Sequence, residues 1–366
     1  MNSIVIILLA VLVPLLLNLI LTPIVIRIAN RNQWFDRLNA RKIHTGNVSR
    51  LGGIGFFLAF FLALLIISLS LPTEAGFRLR FLIPAFGMLL VFGIGVIDDF
   101  YELKASLKGA VQFVAIALVV GFGFMFNDVR IPALGISLKL WFVSYPLTFF
   151  WILGIINAIN LIDGMDGLAG GISMLIAVSY GIIMFISGSI MVGVVAFALA
   201  GSLLGFLVFN KPKAKIFMGD GGAYFLGYML AVMPIMDQWL GLRLPSLEEA
   251  GPHGSTSFLH AVTLLLIPIA DTLAAMIRRW KKGQKISEPD RHHMHHKMLA
   301  KGMSNWQILL VLGGLQLVLS AAVIFDALVV NVWSGISIYI SWLVVTFFFV
   351  WLDSMHKRQT QAASDK

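Results

Sequence analysis

The sequence predicts an all-α protein that crosses a membrane many times, and three observations carry that reading. Of 366 residues, 59% are hydrophobic and only 12% are charged, with a mean hydropathy of +0.91, well outside the balance of a soluble domain. Apolar runs of roughly 20 residues, the length that spans a bilayer as a helix, recur along the whole chain. The basic residues fall almost entirely in alternate connections between those runs, as the positive-inside rule requires.

In order, the first apolar run reaches Ile26 with no basic residue ahead of it, which is too long and wrongly flanked for a cleaved signal peptide. Further spans fit at 51–71, 79–97, 107–126, 141–160, 168–186, 190–209, 223–239, 259–278, 306–324 and 330–352, about eleven in all. Only Ser187-Gly188-Ser189 divides the sixth from the seventh. With spans alternating sides, Arg78, Arg80, Arg130, Lys139 and Arg243 fall on one face and the remaining 22 of the 27 basic residues on the other. The rich side is then cytoplasmic, with the amino terminus outside and the carboxyl terminus inside. This topology accounts for most of the +9 charge, so no nucleic-acid partner is expected. Residues 1–353 read as one integral membrane domain and 354–366 as a polar cytoplasmic tail. The absence of cysteine removes disulfides, thiolate metal sites and cysteine nucleophiles together. Around 129–138, short alternating runs about a glycine suggest a small surface hairpin.

The unusual polar clusters all fall on the cytoplasmic side of this scheme. They are Asp98-Asp99 with Glu102, the ladder Asn157, Asn160, Asp163 and Asp166, the segment 210–222, and the His-rich loop 288–296. The ladder recurs every third residue, so on a helical path its members share a face; a capped, Gly-rich connection between spans is its plainer reading. Adjacent carboxylates repel unless a proton or cation offsets them. An oxygen-only donor set (Asp98, Asp99, Asn160, Asp163, Asp166, Asp220) favours Mg²⁺ or Mn²⁺, while His293, His295 and His296 are the zinc alternative. Those imidazoles stand among cations, which suits an anion such as phosphate better. Two helix starts, one near Gly167 and one after the segment 210–222, point the same way and would offer N–H groups to phosphate.

These residues resemble the polyprenyl-phosphate N-acetylhexosamine-1-phosphate transferases over about residues 41–302. The resemblance rests on Arg41-Lys42-x-His44 followed by Leu51-Gly52-Gly53, then Asp98-Asp99-x-x-Glu102 and Asn157-x-x-Asn160-x-x-Asp163-Gly164-x-Asp166-Gly167. Phe217-Met218-Gly219-Asp220 and Asp290-x-x-His293-x-His295-His296 complete it. Ser49 stands where proline is usual and Glu102 where aspartate is more frequent. The His loop is similar to the branch that uses UDP-N-acetylglucosamine.

The resemblance implies a multi-pass bacterial inner-membrane enzyme. It would move a sugar-1-phosphate from UDP-N-acetylglucosamine to undecaprenyl phosphate with Mg²⁺ or Mn²⁺, releasing UMP, as the first membrane step of an envelope polysaccharide. It further implies Asp220 as metal ligand with Asp99 nearby, Asp98 as base or orienter for the lipid phosphate, and Asn160 and Asp163 at the metal and sugar end. Asn210 and Asp166 would read uracil with Phe217 stacked on it, and His293, His295 and His296 would hold diphosphate. Lys42, His44 and Asn157 join the substrate-binding set, and a homodimer is a state known in the superfamily. Another UDP-N-acetylhexosamine or UDP-MurNAc-pentapeptide stays open as donor. A cation transporter is the competing class; it would bury charge mid-membrane, and Asp271 is the one strong candidate.

Overall fold

A computed structural model describes residues 3–36, 48–70, 75–131, 134, 136–240, 258–284, 293–329 and 331–364. Helix α1 (Ser3–Arg31) is followed by α2 (Gly52–Ser70), α3 (Ala75–Tyr101) and α4 (Ala105–Gly121). A hairpin of β1 (Asp128–Ile131) and β2 (Ile136–Lys139), antiparallel with Asp128 opposite Lys139, leads to α5 (Ser144–Ile162), α6 (Leu168–Ile186), α7 (Ile190–Asn210) and α8 (Gly219–Leu240). Then come α9 (Phe258–Leu264), α10 (Leu266–Lys281), α11 (Met294–Ala300), α12 (Asn305–Val329) and α13 (Val332–Ser364). The expected hairpin is present, and α13 stays helical through the polar tail.

Every run expected to span contains a helix. Eight described helices are long and apolar enough to cross a membrane, or nine if α9 and α10 form one bent span. The chain is a multi-pass membrane protein. Two of the eleven expected spans fall short: α4 has 17 residues and stops at Gly121 rather than reaching 126, and α8 carries Asp220, glycines and tyrosines that dilute its apolar character. The run at 259–278 is not one straight helix, because α9 and α10 meet at 76°. Pro268 explains the break: it lacks an N–H, and its ring would meet the carbonyl of Leu264 in a continuous helix.

Helix α8 is the axis of the bundle. Residues 221–236 are all buried, and α8 packs against α2, α3 and α5. Phe225 sits among Phe56, Phe57, Phe60 and Phe92, with Phe57 and Phe92 stacked at 3.7 Å between ring centres. Helix α1 lies at the periphery and exposes Ile4, Leu8, Leu12, Leu16, Ile20, Ile24 and Ile28, a stripe spaced by four that suits lipid. Its opposite face buries Asn18, whose amide donates to the Ser202 carbonyl on α7 at 2.6 Å. Gly201 and Gly205 allow that approach, since a Cβ at Gly201 would meet the Val11 carbonyl oxygen at 2.2 Å, the small-xxx-small device of membrane helices.

Candidate active site

The ends of α3, α5 and α7 and the starts of α2, α6 and α8 meet at one end of the bundle around a cavity of about 330 Å³. Backbone pairing draws two of the sequence motifs together: Phe217 N–H donates to the Ser49 carbonyl (2.8 Å), Gly52 to Phe217 (2.9 Å) and Gly53 to Met218 (2.8 Å). Gly219 has φ +75°, and a Cβ there would lie 2.0 Å from the Arg50 carbonyl oxygen, so the turn that launches Asp220 admits only glycine.

Asp99 holds the start of α8. Its two oxygens accept from the N–H groups of Asp220 (2.7 Å) and Gly221 (3.0 Å), a side-chain cap that satisfies donors the helix itself leaves open. Asp98 accepts from Leu103 N–H at 2.6 Å and from the Lys108 ammonium at 2.8 Å. The same ammonium stands 3.5 Å from Asp220, so Lys108 bridges the two carboxylates. Asp220 and Asp163 both line the cavity with Asn160. Burial pushes Asp220 up to about 6, aided by its contact with Asp98 and opposed by the charges of Lys108 and Arg50. Burial likewise holds Asp163 well above the ordinary carboxylate range, and the negative charges of Asp220 and Asp99 add to it.

Asn210 and Asp166 fasten the neighbouring loops. Asn210 accepts from Gly167 N–H (3.0 Å) and donates to the Ile216 carbonyl (2.8 Å), while one Asp166 oxygen accepts from the N–H groups of Lys213 (3.2 Å) and Ala214 (3.1 Å). Both residues line the cavity, as does Phe217. Gly167 N–H is therefore occupied by Asn210, as the first N–H groups of α8 are by Asp99. At the two helix starts expected to receive phosphate, these three N–H groups are thus already engaged.

Of the three histidines, His296 lines the cavity. His295 is 1% exposed with neither ring nitrogen hydrogen-bonded, and burial, followed by the neighbouring His296, lowers it to about 3. Its Nε2 lies 2.6 Å from where a Cβ on Gly164 would stand, so that glycine leaves room for the ring. His293 is turned away into a pair with Asp271, Nδ1 to carboxylate at 2.8 Å, and the other Asp271 oxygen accepts from Met294 N–H at 2.8 Å. Asp271, the candidate for a transport site, thus anchors the His helix α11.

Some expected residues stand elsewhere. Lys42 and His44 lie outside the described residues. Asn157 is exposed and its amide donates back to the Leu153 carbonyl at 2.7 Å, because α5 ends at Ile162 and only the lower part of the ladder reaches the turn that faces the cavity. Asp99, expected beside Asp220 as a metal ligand, spends both oxygens on backbone. Sequence reasoning passed over Arg50, Asp36 and Lys108; Lys108 follows Asp98 by ten residues in what reads as an apolar run, and Arg50 precedes Leu51-Gly52-Gly53 without a motif of its own.

A metal ion implied by this chemistry can be tested against the donors. Among the described residues no three His, Asp or Glu side chains cluster as a complete metal-binding set. The cavity wall does carry two mutually repelling carboxylates, Asp163 and Asp220, and the Asn160 amide, an oxygen-only set that suits a hard divalent cation completed by water or substrate oxygens.

A helical membrane bundle with a carboxylate-walled cavity at one end defines a membrane protein with a polar site for a charged ligand. Glycosyl transferase family 4 matches residues 81–237. A Bacillus subtilis protein described as a probable undecaprenyl-phosphate N-acetylglucosaminyl 1-phosphate transferase is 34% identical over 92% of this chain and 89% of its own length. The decaprenyl-phosphate N-acetylglucosaminephosphotransferase of Mycobacterium leprae is 32% identical over 78% of this chain and 75% of its own. The undecaprenyl-phosphate alpha-N-acetylglucosaminyl 1-phosphate transferase of Escherichia coli K12 is 28% identical over 77% and 73%. The chain belongs to glycosyl transferase family 4.

Proposed function

We propose that this protein transfers N-acetylglucosamine-1-phosphate from UDP-N-acetylglucosamine to undecaprenyl phosphate, yielding undecaprenyl-diphosphate-N-acetylglucosamine and UMP at the cytoplasmic face. The observation that carries the reading is the convergence of Asp163, Asp220 and Asn160 on one cavity, with Lys108 linking Asp98 to Asp220 beside it, in a chain whose relatives are named for this transfer.

An oxygen of the lipid phosphate attacks the sugar-bearing phosphorus of the donor. The bond from that phosphorus to the bridging oxygen breaks, and UMP leaves with the electron pair. The nucleophile is already largely anionic near neutral pH, so the protein's task is positioning and charge neutralisation rather than proton removal. Asp98, fixed by Leu103 N–H and Lys108, orients that cation toward Asp220. Asp163, Asn160 and Asp220 would hold Mg²⁺ or Mn²⁺, which when bound supplies charge to the donor's diphosphate; Asp99 keeps Asp220 in place from behind. Phe217 offers a ring face for uracil, with Asp166 and Asn210 shaping the loop beneath it. A single in-line displacement inverts configuration at the transferred phosphorus, and retention would indicate an enzyme-bound intermediate instead.

Membranes containing the protein, supplied with undecaprenyl phosphate and UDP-N-acetylglucosamine, are expected to release UMP and form the lipid-linked sugar. No release with that donor, alongside release with another UDP-sugar, would overturn the donor assignment. No release with any UDP-sugar would overturn the reaction.

A further inference from the structure

The cavity poses an electrostatic problem. Asp36, Asp163, Asp166 and Asp220 line it, and among the described lining residues Arg50 alone carries a permanent positive charge. A phosphorylated ligand entering there meets carboxylates on several sides, and three N–H groups at the helix starts are already engaged, Gly167 just ahead of α6 by Asn210 and Asp220 and Gly221 of α8 by Asp99. Neutralisation therefore falls to side chains and to any bound cation.

Arg50 is built for that task. It lies in the short segment before α2, next to Ser49, whose carbonyl is bonded to Phe217 N–H, so its backbone is tied to the loop that carries Asp220. Its Nε is engaged by Asp36 at 2.7 Å, and Asp36 is itself fixed by a 2.9 Å bond from its N–H to the Val48 carbonyl. The Asp36 carboxylate is 11% exposed and the guanidinium side chain 39%. Asp36 engages the guanidinium through Nε, and with 39% of its side chain exposed Arg50 still has surface to present to a ligand. The charge of Arg50 already acts on Asp163 and Asp220. Arg50 and Asp36 also line a second cavity of about 190 Å³ beside Trp34, Phe100 and Glu102, so the pair forms a shared wall between two spaces.

We propose that Arg50 is a phosphate clamp of this site, with Asp36 as the residue that positions it. This rests on the proposed transfer reaction for its substrates, while the chemistry it names is narrower: a planar guanidinium gripping phosphate oxygens in a fork that a lysine cannot reproduce. Two phosphates enter the reaction, the diphosphate of the nucleotide and the monophosphate of the lipid, and a residue shared by two cavities can serve either.

The full chain in lipid nanodiscs is suited to the test. Binding of UDP and of uridine is measured for the unmodified protein, Arg50→Gln, Arg50→Lys, Asp36→Asn and the double variant, together with the KM for UDP-N-acetylglucosamine and for undecaprenyl phosphate. Loss of a charged hydrogen-bond pair predicts a weakening of about tenfold or more for Arg50→Gln. A loss for UDP with uridine unchanged assigns the clamp to the nucleotide. A rise only in the KM for undecaprenyl phosphate assigns it to the lipid. Arg50→Lys should fall between the unmodified protein and Arg50→Gln. Asp36→Asn should shift the same constant in the same direction, and the double variant should be no worse than Arg50→Gln. Unchanged UDP binding and unchanged KM values in folded Arg50→Gln overturn the proposal, as does an equal loss for uridine, which marks a general collapse of the cavity. A failed Arg50→Gln preparation leaves Arg50→Lys and Asp36→Asn to decide. If the unmodified protein releases no UMP, the transfer reading fails, while the UDP and uridine arm still judges Arg50.

Discussion

At the scale of single residues, the site separates carboxylates that face the cavity from those that hold it together. Asp220 faces it, so Asp220→Asn is expected to lower UMP release by about a hundred- to a thousandfold, the range seen when a preorganised electrostatic group is lost, while the protein stays folded. Asp99 caps α8, so Asp99→Ala leaves two part-buried N–H groups unpaired. It should cost about 1–3 kcal/mol per group at most, read as a lower Tm in detergent, even with substrate absent. His295 provides a pH test. Its folded-state value of about 3 lies below the ordinary 6.5, so between those limits the unfolded chain binds more protons and stability falls as pH falls. His295→Gln removes that contribution, and the drop in Tm between pH 7 and pH 5 should shrink. An unchanged drop would place the ring in a wetter setting than the one described. That Asp98, Asp163, Asp166 and Asp220 gather at one end of the bundle was legible in the sequence because acidic residues at the ends of apolar runs need a reason. Their division of labour was not, because a cap and a ligand site use the same residue type and differ only in what the oxygens meet.

At the scale of elements, the motifs are joints. Leu51-Gly52-Gly53 and Phe217-Met218-Gly219-Asp220 pair through their backbones, and Asp271 ties α10 to α11 through His293 and Met294. Lys297 adds a second tie, from α11 to Asp353 on α13. Asp271→Asn is expected to loosen α11 and raise the KM for UDP-N-acetylglucosamine more than it lowers kcat. A change confined to kcat would contradict a positioning role. The 76° bend between α9 and α10 follows from Pro268, and spin labels placed near residues 259 and 278 should report a longer separation in Pro268→Ala if the helix straightens. Helix placement was readable from apolar length alone. The bend was readable too, had Pro268 been weighed as a breaker inside a run of adequate hydropathy. The shortness of α4 and the burial of α8 were not, since a helix at the centre of a bundle needs no lipid-facing stripe, and its glycines and tyrosines pass for a weaker span.

At the scale of the whole molecule, a peripheral α1 and an α8 buried over residues 221–236 show how the chain meets two solvents, lipid on the outer helices and a polar hollow at one end. The basic asymmetry predicts that this end faces the cytoplasm. Since the chain has no cysteine, single cysteines can be introduced at Lys211 and at Trp141, both exposed; a membrane-impermeant thiol reagent added to intact cells should label the Trp141 position and reach the Lys211 position only after the cells are opened. Labelling of the Lys211 position in intact cells would contradict this topology. The convergence of distant motifs on one cavity was legible because every cluster fell on the same side of the alternation. What sequence could not supply was which groups are already spent on backbone, and so which remain for substrate.

The most direct test is UMP release from UDP-N-acetylglucosamine in membranes supplied with undecaprenyl phosphate, comparing the unmodified chain with folded Asp220→Asn. Turnover should depend on the lipid phosphate and fall by about a hundred- to a thousandfold in the variant. Equal turnover in both, or release that ignores the lipid acceptor, would contradict this reading.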